Sequence, residues 1–195
     1  LDCPKTLRAK LRRRADPDGH VTCPFGKQPT CPALHVACKQ CKLTAARMLI
    51  EAGATLDLVN AAGWHALSYA TVWVDFDCHH DKLQIMELLL SHGANANLGF
   101  GPKDYKPLHW AVLEANPRMV ELLLRFKADP CAKTHDGEPI HACCRSLSDE
   151  KRANAEKCTT IMEKVAAARE QANADECMRL VNEALLEKCD KKLSS

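Results

Sequence analysis

Apolar residues recur along the chain at spacings of three and four, the period of helices that bury one face. Val120, Leu123 and Leu124 form one such stripe, whereas Glu121 and Arg125 take positions outside it. No apolar run approaches the roughly 18 residues that a membrane-spanning helix needs. The pattern therefore predicts short amphipathic helices and no membrane span.

These helical stretches recur at a nearly constant interval. The leading apolar residues Leu34, Leu67, Leu108 and Ile140 are separated by 33, 41 and 32 residues. The longer interval exceeds the others by about eight residues, the length of an insertion in that unit. A helix pair of this size cannot bury its own apolar stripe, so the units must stack on one another.

Two motifs that accompany this interval resemble the ankyrin repeat, whose period is about 33 residues and whose signature is T-P-L-H-x-A. The signature is clearest at Lys106-Pro107-Leu108-His109-Trp110-Ala111 and is degraded at residues 32–37 and 65–70. A second-helix motif appears in "ARMLIEAGATLD", "IMELLLSHGANAN" and "MVELLLRFKADP". The resemblance implies an all-α solenoid of helix-turn-helix units with hairpin-like tips, closed by a C-terminal helical cap.

The repeat spacing divides the chain into three parts. Residues 1–19 are predicted to form a basic N-terminal half-repeat or cap. Residues 20–147 hold three to four ankyrin-type repeats, with insertions at 20–31 and 74–81. Residues 148–195 are predicted to be C-terminal helices.

The C-terminal part contains neither Gly nor Pro after residue 148 and is predicted to be helical throughout. The stretch Ala-Asn-Ala-Asp at 172–175 is expected to separate two helices, with one long bent helix as the alternative. The helices either cap the open end of the array or form an arm that docks a partner. Their two apolar stripes are Ala155, Cys158, Ile161, Met162, Val165 and Ala168, and Cys177, Leu180, Val181, Ala184, Leu185 and Cys189.

The net charge of +2 gives no overall preference for nucleic acid or membrane, but the charge is unevenly distributed. Six cations lie near the N-terminus: Lys5, Arg8, Lys10, Arg12, Arg13 and Arg14. This basic patch could grip RNA phosphates or an acidic protein surface, or it could be a solvated helix face. No aromatic residue is interleaved with it, so base stacking is not indicated.

Twelve cysteines are many for a chain of 195 residues. A chain with this helical periodicity does not need disulfides to fold, so reduced thiols in an intracellular, reducing compartment are expected. Cys23, Cys31, Cys38 and Cys41 form one candidate zinc set, although Cys38 equally suits a small buried position. The loop "VDFDCHHD" at 74–81 is a weaker candidate for a divalent ion.

No Cys or His lies in a recognised nucleophile context, so no catalytic residue and no cofactor is assigned. His35, His109 and His141 recur at one repeat position. The resemblance implies that these histidines hold each loop against its helix, which leaves an enzyme without a base.

The resemblance also implies that a partner docks on the concave face built from hairpin tips and first helices. Trp64, Trp73 and Tyr105 align with that face, and Trp and Tyr are enriched at binding hot spots. The alternative is that the insertions fold back and bury both tryptophans, while Trp110 is expected to pack in the core. Other residues predicted for this face and its polar rim are Lys39, Gln40, Lys103, Asp104, Leu113 and Glu114.

The predicted function is therefore non-catalytic protein–protein interaction. One alternative is an accessory subunit of a large assembly, which could contain RNA. Another is a zinc- or redox-dependent Cys-rich protein.

Overall fold

The computed structural model describes residues 16–22, 30–72, 79–140, 142 and 149–193, and within these ranges the chain is almost entirely helical. Three helix pairs follow one another and precede one long helix, which confirms the all-α prediction. The pairs are α1 (Ala33–Lys39) with α2 (Leu43–Glu51), α3 (Ala66–Thr71) with α4 (His79–Ser91), and α5 (Pro107–Leu113) with α6 (Pro117–Arg125). The last helix is α7 (Asp149–Leu193).

The pairs stack in two layers. First helices pack in the order α1, α3, α5, while α2 packs against α4 in the second layer. One continuous core runs through the stack, and the leading residues of the units lie in it. Leu34, Leu67, Leu108 and Ile140 are each at most 2% exposed. The period seen in the sequence is therefore the period at which one unit buries the stripe of the next.

The ends of the helices follow from local residue chemistry. Pro107 and Pro117 occupy the first turns of α5 and α6, where a missing N–H costs nothing. Gly53 and Gly93 have φ angles of 89° and 97° after α2 and α4, as a left-handed C-cap requires. Lys127 takes the same place after α6 with φ 64°, which costs about 1 kcal/mol relative to glycine.

The hairpin tips are joined by a ladder of hydrogen bonds between neighbouring units. In each bond an Asp or Asn side chain accepts the backbone N–H of the next tip. The three bonds run from Thr55 to Asp18 (2.7 Å), from Asn95 to Asp57 (3.0 Å) and from Asp129 to Asn97 (2.7 Å). The turn that contains Asp18 is therefore the first step of the ladder.

The insertion before the first helix pair contains the one sheet in the described ranges. Strands β1 (His20–Thr22) and β2 (Thr30–Pro32) pair antiparallel, with Val21 opposite Cys31. The strand β2 continues directly into α1, and Ala33 donates its N–H to Gly19 at 3.1 Å. The sequence predicts only an insertion at 20–31 and not these strands, because three-residue strands carry too little alternation of apolar and polar residues to be recognised.

The long helix α7 is continuous over 45 residues, so the predicted break at 172–175 is wrong. Alanine favours helix, and no Gly or Pro interrupts it, so the polar Asn and Asp do not suffice to end it. The helix packs against α5 and α6, and Ala155, Cys158 and Met162 enter the core. Ala168 was predicted to belong to the first apolar stripe, but it is exposed. The second stripe, from Cys177 to Cys189, lies outside the described side chains.

A basic side chain fixes α7 to the end of α6. Arg169 donates from Nη1 to the carbonyl of Ala128 at 2.9 Å and from Nη2 to that of Leu124 at 3.1 Å. Leu124 lies in the last turn of α6, where the helix dipole favours a cation, and Ala128 follows the end of that helix. Among the described residues, none of the helices is both long and apolar enough to cross a bilayer.

Candidate partner-binding face

Five aromatic rings form a continuous cluster along the hairpin tips and first helices, here called the aromatic face. Trp64 contacts Tyr69 and Phe100 at centroid distances of 5.2 and 5.1 Å. Trp110 continues the cluster, 6.2 Å from Phe100 and 5.9 Å from Tyr105. Phe100 is buried, whereas the other four rings are half-buried. The face therefore offers apolar surface on rings whose positions are fixed by one another.

Histidine side chains hold the tips that carry these rings. His35 Nε2 lies 2.9 Å from the carbonyl of Leu58 in the next tip, and His65 Nε2 lies 3.2 Å from that of Leu98. Because a carbonyl can only accept, each Nε2 carries the proton. In the second unit, Ser68 occupies the repeat position that His35 occupies in the first. His65 lies three residues before Ser68 and contacts the next tip in its place, while Ser68 accepts the His65 backbone N–H at 3.0 Å.

Burial keeps these histidines neutral. It lowers the pKa of His35 from 6.5 to about 4, against the opposing effect of the hydrogen bond to Leu58. The pKa of His65 is lowered for the same first reason. Within the described ranges the Nδ1 atoms of both rings meet no hydrogen-bond partner, so a second proton would be buried without an acceptor.

His109 acts within its own unit. Its Nδ1 accepts the backbone N–H of Lys106 at 3.1 Å, which holds the start of α5. Burial lowers its pKa as well. The ring also lies 5.8 Å from Tyr105 in an edge-on contact, so this histidine supports one ring of the aromatic face from below.

Polar residues border the aromatic face. Lys39 Nζ lies 5.8 Å from the centroid of the Tyr69 ring, and Gln40 caps α1 beside it. At the other end, Lys106 binds Asp104 at 2.5 Å. Glu114 accepts from Lys151 of α7 at 3.3 Å and so helps to hold that helix.

A cleft continues the aromatic face beyond Tyr105. Tyr105, Leu113 and residues of the tip around Thr134 line it. Its volume is about 270 Å³. Lys103, Tyr105 and Leu113, which the repeat alignment assigns to one face, thus line one cleft.

The architecture of stacked helix pairs with hydrogen-bonded tips agrees with a family comparison. A family model described as "Ankyrin repeat" matches residues 104–135, which include α5 and α6. These repeats are ankyrin repeats. Ankyrin repeats indicate a protein–protein interaction module.

Curated relatives are similar to this chain over slightly more than half of its length. The chain is 31% identical over 106 residues to the human "Ankyrin repeat and SOCS box protein 16", covering 54% of this chain and 22% of that protein. It is 31% identical over 104 residues to "Palmitoyltransferase AKR1" of Kluyveromyces lactis, covering 53% and 13%. A putative ankyrin repeat protein of Acanthamoeba polyphaga mimivirus is 27% identical over 112 residues, covering 57% and 14%. The chain thus spans less than a quarter of the length of these relatives.

The sequence-based prediction did not include three rings of the aromatic face. It left out Tyr69 and Phe100, and it assigned Trp110 to the core. The repeat alignment held a signal for two of them, because Tyr69 and Trp110 each stand two residues after a leading leucine. The alignment holds no such signal for Phe100, because only the structure shows its pairing with Tyr105 across a hairpin bridge.

Several predicted residues lie outside the described ranges. Trp73 is among them, as are His141 and most of the loop at 74–81. The basic patch also lies there, so its role stays a prediction: Lys5, Arg8, Lys10, Arg12, Arg13 and Arg14.

In the part of the chain that the structure describes, the candidate zinc cysteines do not form a metal-binding set. Cys38 is fully buried in the core of the ankyrin array, and burial raises the pKa of its thiol well above the usual range. Cys41 is disulfide-bonded, so the expectation of reduced thiols fails there. Cys31 is a buried thiol, and Cys23 lies outside the described residues. Nowhere in the described ranges do three or more His, Cys, Asp or Glu side chains converge as metal ligands would.

Proposed function

We propose that the chain is a non-catalytic module that binds a partner protein through the aromatic face. The observation that carries the proposal is the continuous cluster from Tyr69 to Tyr105, with four half-exposed rings on one side of the ankyrin array. Tryptophan and tyrosine in such clusters contribute most to binding energy, because they bury large rigid surfaces at little entropic cost.

The borders of the face suit this role. Lys39 and Gln40 at one end and Lys103 with Asp104 at the other supply a polar rim around an apolar centre. Trp73 belongs to the proposal from its position in the sequence. Binding would bury the half-exposed rings and leave the rim at the edge of the interface.

The same observations argue against catalysis by this chain. Ankyrin repeats are in general non-catalytic, and the described histidines of the repeat signature are buried and used as scaffold. The similarity to the palmitoyltransferase covers only 13% of that enzyme, so its activity is not carried over to this chain. The predicted intracellular, reducing compartment remains a proposal, and the disulfide at Cys41 counts against it.

Partner capture from native extract tests the proposal. A Tyr105→Ala/Leu113→Ala variant should lose at least about tenfold in captured partner, since two contact side chains are removed from the aromatic face and its cleft. A matched control is Leu83→Ala/Leu122→Ala, because these half-buried leucines line a groove between α4 and α6 in the second layer. Both variants are first checked for an unchanged circular dichroism spectrum.

Salt separates the proposed face from the alternative grip by the N-terminal cations. Capture through aromatic burial should change little between moderate and high salt, whereas a phosphate or acidic partner held by the basic patch should be released. Loss of capture in the control variant but not in the first variant would place the interface on the second layer and refute the proposal.

A further inference from the structure

The cleft next to Tyr105 differs in charge from the rest of the aromatic face. Its lining includes Asp136 and Glu138 from the last described tip, together with Thr134 and Lys103. Two carboxylates and one ammonium give the lining a net charge of −1. The aromatic face thus ends in a concave, acidic cleft of about 270 Å³.

The tip that carries these carboxylates is rigidly built. Thr134 donates its N–H to the carbonyl of Glu138 at 2.9 Å, and its hydroxyl oxygen accepts the N–H of Glu138 at 3.2 Å. Gly137 closes the turn with φ 79° and donates to Thr134 at 2.9 Å. His135 donates its N–H to the carbonyl of Lys103 at 2.9 Å, which ties this tip to the previous one. The carboxylates therefore project from a fixed backbone.

The carboxylates are little used within the chain. Asp136 has a weak contact of 3.5 Å with the exposed ring of His135. In the described part of the chain, the Glu138 carboxylate makes no ion pair. By contrast, the nearby Asp104 and Glu114 are already paired, with Lys106 and Lys151. Two exposed carboxylates without a strong ion pair thus line the cleft.

From this charge complementarity we infer that the cleft receives an arginine side chain of the partner protein, an inference that rests on the proposed function. A guanidinium group can stack on the Tyr105 ring and at the same time donate to a carboxylate with two N–H groups. Lysine offers a single point charge and cannot make both contacts in one plane. Leu113 completes the site by contacting the aliphatic part of the side chain.

Titration of the labelled protein with N-acetyl-arginine methylamide, followed by NMR, tests the inference without the partner. The backbone amides of Gly137 and Glu138 should shift saturably. N-acetyl-citrulline methylamide has nearly the same shape without the charge and should bind about tenfold more weakly or not at all. The Asp136→Asn/Glu138→Gln variant should lose the response to the arginine derivative to the same extent, with an unchanged fold because both side chains are exposed.

Equal shifts with the citrulline derivative, an unchanged response in the variant, or no saturable shift at these amides would each overturn the inference. These outcomes are separate from the capture experiment. If capture depends on the aromatic face while the arginine derivative leaves the cleft unmoved, protein binding stands and the arginine site falls. If the arginine derivative binds but capture ignores Tyr105, the proposed function falls instead.

Discussion

Lowering the pH from about 7 to about 4 should reduce the free energy of unfolding by about 3 kcal/mol through His35 alone. Burial lowers the pKa of this side chain from 6.5 to about 4 in the folded chain. Above 6.5 the ring is neutral in both states. Between the two values the unfolded chain takes up a proton that the folded chain does not, so stability falls with pH until both states are protonated.

The other buried histidines of the scaffold act in the same direction. The pKa values of His65 and His109 are also lowered, first by burial. Protonation of His35 and His65 would place a charge on the rings that hold neighbouring tips together through Leu58 and Leu98. Acid should therefore separate the units of the array and not merely loosen one of them.

Urea unfolding at a series of pH values measures this effect, with His35→Gln as the matched control. The glutamine amide can still donate to Leu58 but does not titrate, and the carboxylates contribute equally to both proteins. The wild type should lose about 3 kcal/mol more than the variant between neutral and acidic pH. Identical pH dependence of the two proteins would contradict the account of His35.

Replacing Met162 with aspartate should destabilise the whole array by at least about 3 kcal/mol. Met162 is 5% exposed and packs in the core on the inner side of α7. A carboxylate there would lose most of its hydration on being buried against the end of the repeats. The prediction follows from α7 acting as the cap that covers the last unit.

Lys164→Asp provides the control, because it introduces the same side chain two residues later on an exposed position. It should change stability by less than about 0.5 kcal/mol. If Met162→Asp left the unfolding of the array unchanged, α7 would be a separate arm and not a cap.

The periodic features of the fold could be predicted from the sequence. The leading apolar residues and the glycines after α2 and α4 repeat from unit to unit, so each occurrence confirms the others. The break predicted at 172–175 failed because it rested on a single local stretch with no repeat to check it. The strands β1 and β2 were not predicted because three residues carry too little pattern.

The candidate site was less predictable, because it depends on contacts between units. Trp64 and Tyr105 could be assigned to one face by alignment, but Phe100, which joins Trp64 to Trp110, could not. His65 shows the same limit. It takes over a scaffold role from a shifted position, and only the bond to Leu98 reveals this.

Site-specific photo-crosslinking tests the central claim, binding through the aromatic face, most directly. Benzoylphenylalanine would replace Leu113 in the cleft in one protein and Leu122 on the second layer in another, and each would be irradiated in native extract. The account predicts a discrete adduct with a partner protein from position 113 and none from position 122. An adduct from position 122, with none from position 113, would contradict it.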